Sequence, residues 1–425
     1  MNSHSSYQST NQNWIGDIPS HWSIKRLKYL TQVRKELSEH GTEELLSVTE
    51  TKGIVKRKDL KNVDENVSRS ENLSGYRLVQ KGDLVNNIML VWKRGLGVSQ
   101  YEGIVSPAYS VFSFNSDCDP NFFNYLLRSD EYISEFRRHS TGIIMSRLRL
   151  YDDSFGNVFA HLPPIEEQNL ISRYLDKKTS QIDSLVEKIQ KKIDLLNKQR
   201  TSLINHYVTK GLAQNVEMKD TGLEWIGEIP KHWDFKKLKY LFSYKKGSLG
   251  QQLTSTFISE NSGQFPVYSG KTENNGVLGM WDNFEFEFDQ DVIFCTTVGA
   301  KLMTTRVISG KFSLSQNCLI MIPKSDEINS EYINYFMMYD FKIRRDLLPS
   351  ILQPSLRMED LDQYWIPVPP KLEQNSIVEY LNSFSDNNKK LIMKLETKKT
   401  LLKEYHQSLI SSVVTGKVRV TEDMI

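Results

Sequence analysis

Cysteine is scarce in this chain of 425 residues: Cys118, Cys295 and Cys318 are the only three, and none forms a CxxC pair. That excludes a disulfide framework and a cysteine-built structural zinc site. No run of roughly 18 apolar residues exists, so nothing in the sequence reads as a membrane-spanning helix. Excess charge is also missing, because 54 basic and 52 acidic residues leave a net +2. A strongly basic chain would announce nucleic acid through its global field; here any such contact has to come from local patches. Met1–Asn13 is rich in Ser, Asn and Gln and lacks the basic-then-apolar pattern of a secretory leader. It reads as a disordered segment, and a cytoplasmic location without membrane partners is the expectation. Apolar residues are not lacking: 39% of the chain, with 19 Phe, 19 Tyr and 7 Trp, can build folded cores.

Catalytic motifs are the next absence. Ser269-Gly270-Lys271-Thr272 looks like the end of a phosphate-binding loop, but Phe265 stands where that loop needs its first glycine. Asp119-Pro120-Asn121-Phe122 faintly resembles the tetrapeptide with which amino-methyltransferases hold a flipped base, yet lacks its second proline. No G-x-G-x-x-G, H-E-x-x-H or G-x-S-x-G occurs. His21 and His232 read as packing or capping residues. The expectation is a chain with no catalytic residues, no metal and no cofactor of its own.

What the sequence does contain is itself, twice. Trp14–Leu30 (WIGDIPSHWSIKRLKYL) and Trp225–Leu241 (WIGEIPKHWDFKKLKYL) agree at 12 of 17 positions. Pro163–Asp176 (PPIEEQNLISRYLD) and Pro369–Asn382 (PPKLEQNSIVEYLN) agree at 8 of 14. Leu203–Thr209 matches Leu409–Thr415 at the same offset of 206. Between these landmarks the halves share few identities, which suggests one scaffold carrying two different recognition surfaces. Val105–Phe114, Val292–Thr297 and Cys318–Ile322 have strand-like composition, whereas Phe122–Arg138 and Glu331–Arg345 look helical.

Each Pro-Pro pair opens a long helix, with Glu166, Glu167 and Glu373 suited to the positive end of its dipole. Ile182, Val186, Ile189, Ile193, Leu196, Leu203 and Tyr207 recur at alternating spacings of four and three, interrupted by Arg200. Ile392, Leu395, Leu402, Leu409 and Val413 do the same, with Lys399 and His406 as gaps. Such spacing is a coiled-coil seam. Two interrupted seams in one chain are expected to pack on each other, Ile182–Tyr207 against Ile392–Val413. Gly211 and Gly416 close the two runs.

The order WIGxIPxHW, variable domain, PPxxEQ, long helix, then all of it again, resembles the DNA-specificity subunit of type I restriction–modification systems. Gly82-Asp83-Leu84-Val85 with Gly103–Tyr109 looks like one class of target-recognition domain. Phe265–Gly270 with Asn275–Gly279 looks like another. The resemblance covers the chain after Asn13. It implies a mixed α/β (α+β) fold in which two target-recognition domains are separated by a pair of long antiparallel coiled-coil helices, with pseudo-twofold internal duplication. The expected boundaries are a disordered segment at 1–13, recognition domains at 14–162 and 225–368, repeat helices at 163–211 and 369–416, a linker at 212–224 and a tail at 417–425. The implied partners are double-stranded DNA, two adenine-N6 methyltransferase subunits that bind S-adenosylmethionine, and restriction motor-nuclease subunits that use ATP and Mg.

Candidate DNA contacts follow from side-chain chemistry, since Arg reads guanine, Asn reads adenine and Lys neutralises phosphate. In the first domain they are Asn87, Trp92, Lys93 and Arg94, with Arg147 and Arg149. In the second they are Tyr268, Ser269, Lys271, Thr272, Thr297 and Lys301. Two rival readings remain at this level: a self-contained DNA methyltransferase, and a coiled-coil scaffold that reads no DNA.

Overall fold

The computed structural model describes residues 3–60, 73–144, 148–270, 273–299, 301–346 and 355–425. The chain divides into two compact units. Unit 1 joins Met1–Gln190 to Glu396–Ile425, and unit 2 is Lys191–Leu395. The two long helices run Ile165–Lys210 and Lys371–Val414. Each unit therefore contains one divergent region and a part of each helix.

Unit 1 is organised on a four-stranded antiparallel sheet in the order Thr31–Val33, Tyr109–Phe114, Leu84–Asn87, Leu96–Val98. Leu84–Asn87 is buried at every residue. Helices Pro120–Leu127 and Asp130–His139 follow the sheet. The first begins where Asp119 accepts bonds from Asn121 N and Phe122 N, with Pro120 at the first turn. Asp-Pro-Asn-Phe is thus a helix cap. The expected single helix over Phe122–Arg138 is two, because Arg128 and Ser129 leave the helical path between them.

Unit 2 repeats that sheet in the order Phe242–Lys246, Cys318–Pro323, Phe286–Thr296, Thr305–Leu314. It then extends it with Ser262–Tyr268, parallel to Thr305–Leu314, and Val277–Trp281. Its following helix, Ser330–Asp346, is a single element. So two interiors with few identical residues build the same four-strand order.

The repeated boxes explain themselves by touching. In unit 1 the carboxylate of Glu167 accepts from Trp22 Nε1 at 3.1 Å and bonds His21 Nε2 at 2.8 Å. Buried Gln168 donates to the Asp117 and Pro163 carbonyls and accepts from Asp119 N. Unit 2 repeats the plan: Glu373 bonds His232 Nε2 at 2.9 Å, and Gln374 donates to Glu327 and Pro369 carbonyls and accepts from Asn329 N. The Glu-Gln pair is therefore a clasp between the HW box, the start of the long helix and the turn before the next helix. Gly211 and Gly416 both have φ of +75°. A β-carbon on Gly211 would meet Trp233, and one on Gly416 would meet Pro19 and Trp22, so each helix ends on a box tryptophan.

Three expected irregular stretches are ordered. Tyr7–Ser9 pairs with Asp17–Pro19, so residues 3–13 are structured in place of the expected disordered segment. The expected linker at 212–224 contains Met218–Asp220, which pairs with Glu228–Pro230 in the same register. In the expected tail, Val418 and Val420 are buried in the unit 1 core. Short polar strands at a sheet edge carry no periodicity to betray them.

Within each unit the long helices meet antiparallel. In unit 1 Lys399 Nζ donates to Gln190 Oε1 at 2.9 Å, and His406 Nε2 lies 3.9 Å from Asp183 Oδ1. In unit 2 Arg200 Nε donates to Ser385 Oγ, Asn388 Nδ2 to the Leu196 carbonyl, and Tyr207 to Tyr380. Arg200, Lys399 and His406, the gaps in the seam, each contact the facing helix. Ile182, Ile189, Ile193, Leu409 and Val413 are buried, while Val186, Leu196, Leu203, Ile392, Leu395 and Leu402 are half-buried. The facing stretch is displaced toward the start of the second helix, because Asp183 lies by His406 and Tyr207 faces Tyr380, where the expectation opposed Ile182–Tyr207 to Ile392–Val413. Toward the end of the central helix Ile204 and Val208 are buried in place of Leu203 and Tyr207. A straight helix drifts about 20° per heptad against a 3.5-residue repeat, which rotates the next pair inward. No helix among the described residues is long and apolar enough to cross a membrane.

Candidate nucleic-acid interface

In unit 1 the cluster at residues 87–94 is a tight turn closing two strands. Asn87 is buried and accepts a bond from Met89 N, so its amide stabilises the turn and does not face outward. Trp92 Nε1 donates to the Met89 carbonyl at 2.9 Å. Lys93 is exposed, its ammonium 4.9 Å from the Trp92 ring centre. Arg94 adopts a left-handed backbone and spends its guanidinium on the Arg128 carbonyl and the Asp130 carboxylate. Of the four, Lys93 and the ring of Trp92 face solvent.

A second loop lies against that turn. Thr141 and Arg149 exchange two backbone bonds of 2.9 Å, and Leu150 N donates to the Ile88 carbonyl. These bonds place exposed Arg149 beside the Ile88–Arg94 turn. Ile143 and Ile144, on the same loop, are exposed large apolar residues that pattern reasoning passed over. Arg147 lies outside the described residues. The outward set in unit 1 is therefore Met89, Trp92, Lys93, Ile143, Ile144 and Arg149.

Other charged residues in unit 1 are structural. Arg128 donates to the carbonyls of Glu50, Thr51, Arg94 and Leu96, and its burial lowers its pKa to about 10. Arg34 grips buried Asp83 through two bonds of 2.7 and 3.1 Å, and Asp83 also accepts from Gln80 N. Gly103 is required because a β-carbon would stand 2.2 Å from the Glu44 carbonyl oxygen. The Gly82-Asp83 and Gly103 motifs thus specify backbone approach and a buried ion pair.

In unit 2 the expected residues separate. Tyr268 packs edge-on to Phe312 and near Phe294. Ser269 is buried, and its N donates to the Gly276 carbonyl. Thr297 is buried too, but lines a cleft of about 560 Å³ with Lys246, Gln251, Gln316, Asn317 and Arg357. Lys301 is exposed on the turn that follows Gly299. Lys271 and Thr272 lie outside the described residues. Half-buried Arg306 stacks 5.1 Å from the Phe294 ring under Gly276, with Nε unbonded and its pKa lowered by burial. The cleft was invisible in sequence because Lys246, Gln316 and Arg357 come from three separate segments.

Comparison with known proteins adds a family to this geometry. Residues 230–397 match the type I restriction modification DNA specificity domain. A type I restriction enzyme specificity subunit of Methanocaldococcus jannaschii (MjaX, itself assigned provisionally) is 24% identical over 431 residues, covering 96% of each chain. The HsdS subunit of Thermoanaerobacter tengcongensis has a similar fold, with a TM-score of 0.56 at 16% identity over 94% of this chain and 98% of that one. A chain solved in work on complex assembly and conformational transition of the type I R-M system gives a TM-score of 0.70 at 15% identity, over 94% and 99%. With duplicated clasps, matching four-strand sheets and two long helices, the chain is similar along its length to the DNA specificity subunits of type I restriction–modification systems, and its residues 230–397 match their specificity domain.

Proposed function

We propose that the chain is the non-catalytic reading subunit of its complex and recognises a bipartite, asymmetric DNA site, one divergent region per half-site. The observation that carries this reading is the contrast within the duplication. Clasps and sheet order are kept, while the surfaces mounted on them differ in loops, strand length and exposed side chains. In unit 1 the reading surface is the Trp92–Lys93 turn with the Arg149 loop; in unit 2 it is the Thr297 cleft with Lys246, Lys301 and Arg357. Lysine and arginine there neutralise phosphates, and the neighbouring amides and guanidinium groups reach base edges.

The long helices are the docking surface for two methyltransferase subunits, which supply S-adenosylmethionine and transfer the methyl group to adenine N6. Restriction subunits using ATP and Mg join that assembly. Leu185, Leu195, Leu391, Met393, Leu401 and Tyr405 are exposed on these helices and suit a protein partner.

The experiment is a domain exchange. Replacing Trp14–Leu162 by the corresponding region of a relative, with the methyltransferase present, changes one half-site in genomic methyladenine mapping and leaves the other half-site and the gap intact. A simultaneous change of both half-sites overturns the modular reading.

A further inference from the structure

The duplication supplies an internal control for one side-chain cluster. Both units join a box histidine to the carboxylate at the start of a long helix, His21 to Glu167 and His232 to Glu373. Unit 1 adds a third group. The registers Tyr7↔Pro19 and Met218↔Pro230 are the same pairing displaced along the chain. At that displacement the place of His4 is taken in unit 2 by Asn215.

The His4 side chain is only 4% exposed, and its Nε2 is buried without a hydrogen-bond partner, 3.9 Å from Glu167 Oε1. The rings of His4 and His21 lie 5.4 Å apart. Taking one ligand atom from each of His4, His21 and Glu167, all lie within 4.8 Å of one another. Leaving a buried ring nitrogen unbonded is unfavourable, and another imidazole and a carboxylate lie close to it. Trp22 Nε1 donates to the same Glu167 oxygen that His21 bonds and fixes the carboxylate, the kind of outer support that orients a metal ligand.

We propose that His4, His21 and Glu167 form a binding site for a divalent transition-metal ion of the zinc class, built into unit 1 and without a counterpart among the described residues of unit 2. Two imidazoles and one carboxylate form a donor set that zinc accepts at about 2.0–2.2 Å, with a fourth position left for water. His21, half exposed, swings inward to close the set. Ser20, Glu166, Arg419 and Glu422 line the adjoining cleft, the two acids offsetting the arginine charge. The ion ties together the N-terminal segment, the HW box and the first turn of the central helix. Sequence spacing hid the site, since its ligands stand at positions 4, 21 and 167.

The test uses the full chain purified without a histidine tag. Zinc is titrated calorimetrically, with cobalt as an optical probe of the same site. The expected result is one saturable site whose cobalt spectrum shows imidazole ligation. His4→Asn, which installs the unit 2 residue, weakens zinc binding at least about 10-fold, the scale on which even an outer partner acts. His232→Asn leaves binding unchanged. Metal-free melting of His4→Asn is compared with that of the parent to separate ligand loss from misfolding. The proposal is overturned if the parent chain shows no saturable uptake, if its cobalt spectrum lacks imidazole ligation, or if folded His4→Asn binds zinc as tightly as the parent.

Discussion

Unit 1 and unit 2 use the same clasp and four-strand order but invest differently in what surrounds them. Unit 1 has strands of three to six residues in that sheet. It places two-stranded ribbons beside it, Leu46–Thr49 with Gly53–Lys56 and Arg77–Val79 with Gly103–Val105. Unit 2 lengthens three of the four shared strands, to eleven residues in Phe286–Thr296, and adds two more. The clasp joins the HW box, the start of the long helix and the turn before the next helix, and uses no residue of the four shared strands, so the loops between those strands can change without disturbing it. A duplicated chain can thereby diverge in what it reads while keeping how it is held.

The largest effect is expected from the helices that both units share. Removing one heptad from each, Ile189–Leu195 with Ile392–Lys398, follows the observed pairing and keeps the seam in phase. Seven residues shorten each helix by about 10 Å, or roughly three base pairs of DNA at about 3.4 Å each. Three base pairs also turn the duplex by about 100° at roughly 10.5 per turn, far more than the seam turns. Methylation mapping should show a gap shortened by two to three base pairs (on the order of 10 Å at that rise) with weaker modification, or loss of modification. Full modification at an unchanged gap would show that the helices do not set the spacing.

Next come the clasp glutamines. Gln168→Ala leaves the Asp117 and Pro163 carbonyls and Asp119 N without their partner, costing about 4 kcal/mol. Gln374→Ala does the equivalent in unit 2. Hydrogen exchange should show each substitution loosening its own unit; equal loosening of both would contradict the division.

Acid separates the units more gently. Tyr132 pairs with His161 Nδ1 at 2.8 Å inside unit 1, where Tyr332 of unit 2 bonds the Pro367 carbonyl. Burial lowers the His161 pKa from 6.5 to about 4, and its Nε2 has no partner. A histidine kept neutral binds fewer protons folded than unfolded, so stability falls as pH drops below 6.5 and levels off near 4. The loss is about 3 kcal/mol, confined to unit 1 and absent in His161→Gln. Urea midpoints at pH 7 and at about pH 4, followed by unit-specific exchange, measure it.

The smallest effect is at the proposed reading surface. Lys93→Ala in the methyltransferase complex should reduce the salt dependence of DNA binding by about one counterion and leave stability unchanged. Asn87→Ala, by contrast, should destabilise the turn by about 1 kcal/mol and act on binding only through it.

Sequence reading reached the parts of this molecule that repeat or are periodic. The expected helices at 163–211 and 369–416 fall within two residues of Ile165–Lys210 and Lys371–Val414, and of the expected seam Ile182, Ile189, Ile193, Leu409 and Val413 are buried. The strand-like stretches 105–114, 292–297 and 318–322 fall on strands of the two sheets, but the shared order stayed hidden because Leu84–Asn87 is buried throughout and shows no alternation, and Leu96–Val98 is too short to show any. For the reading surface, Asn, Ser and Thr beside glycines signalled a polar loop. Asn87, Ser269 and Thr297 instead satisfy buried backbone or line a cleft, since short polar side chains serve turns as readily as ligands. Lys93, Arg149 and Lys301, with long charged chains that resist burial, are exposed.

The discontinuous make-up of unit 1 carries a consequence for synthesis. Unit 2 occupies an unbroken stretch, Lys191–Leu395, and can close as soon as it leaves the ribosome. Unit 1 begins first, yet Leu409, Val413, Val418 and Val420 of its core are made only after all of unit 2. Until then the apolar surface around Trp22 and Ile182 waits for its cover, with Gly416 not yet seated on the box tryptophan. The half that is translated first is the half that folds last, and it is the one most exposed to aggregation on the way.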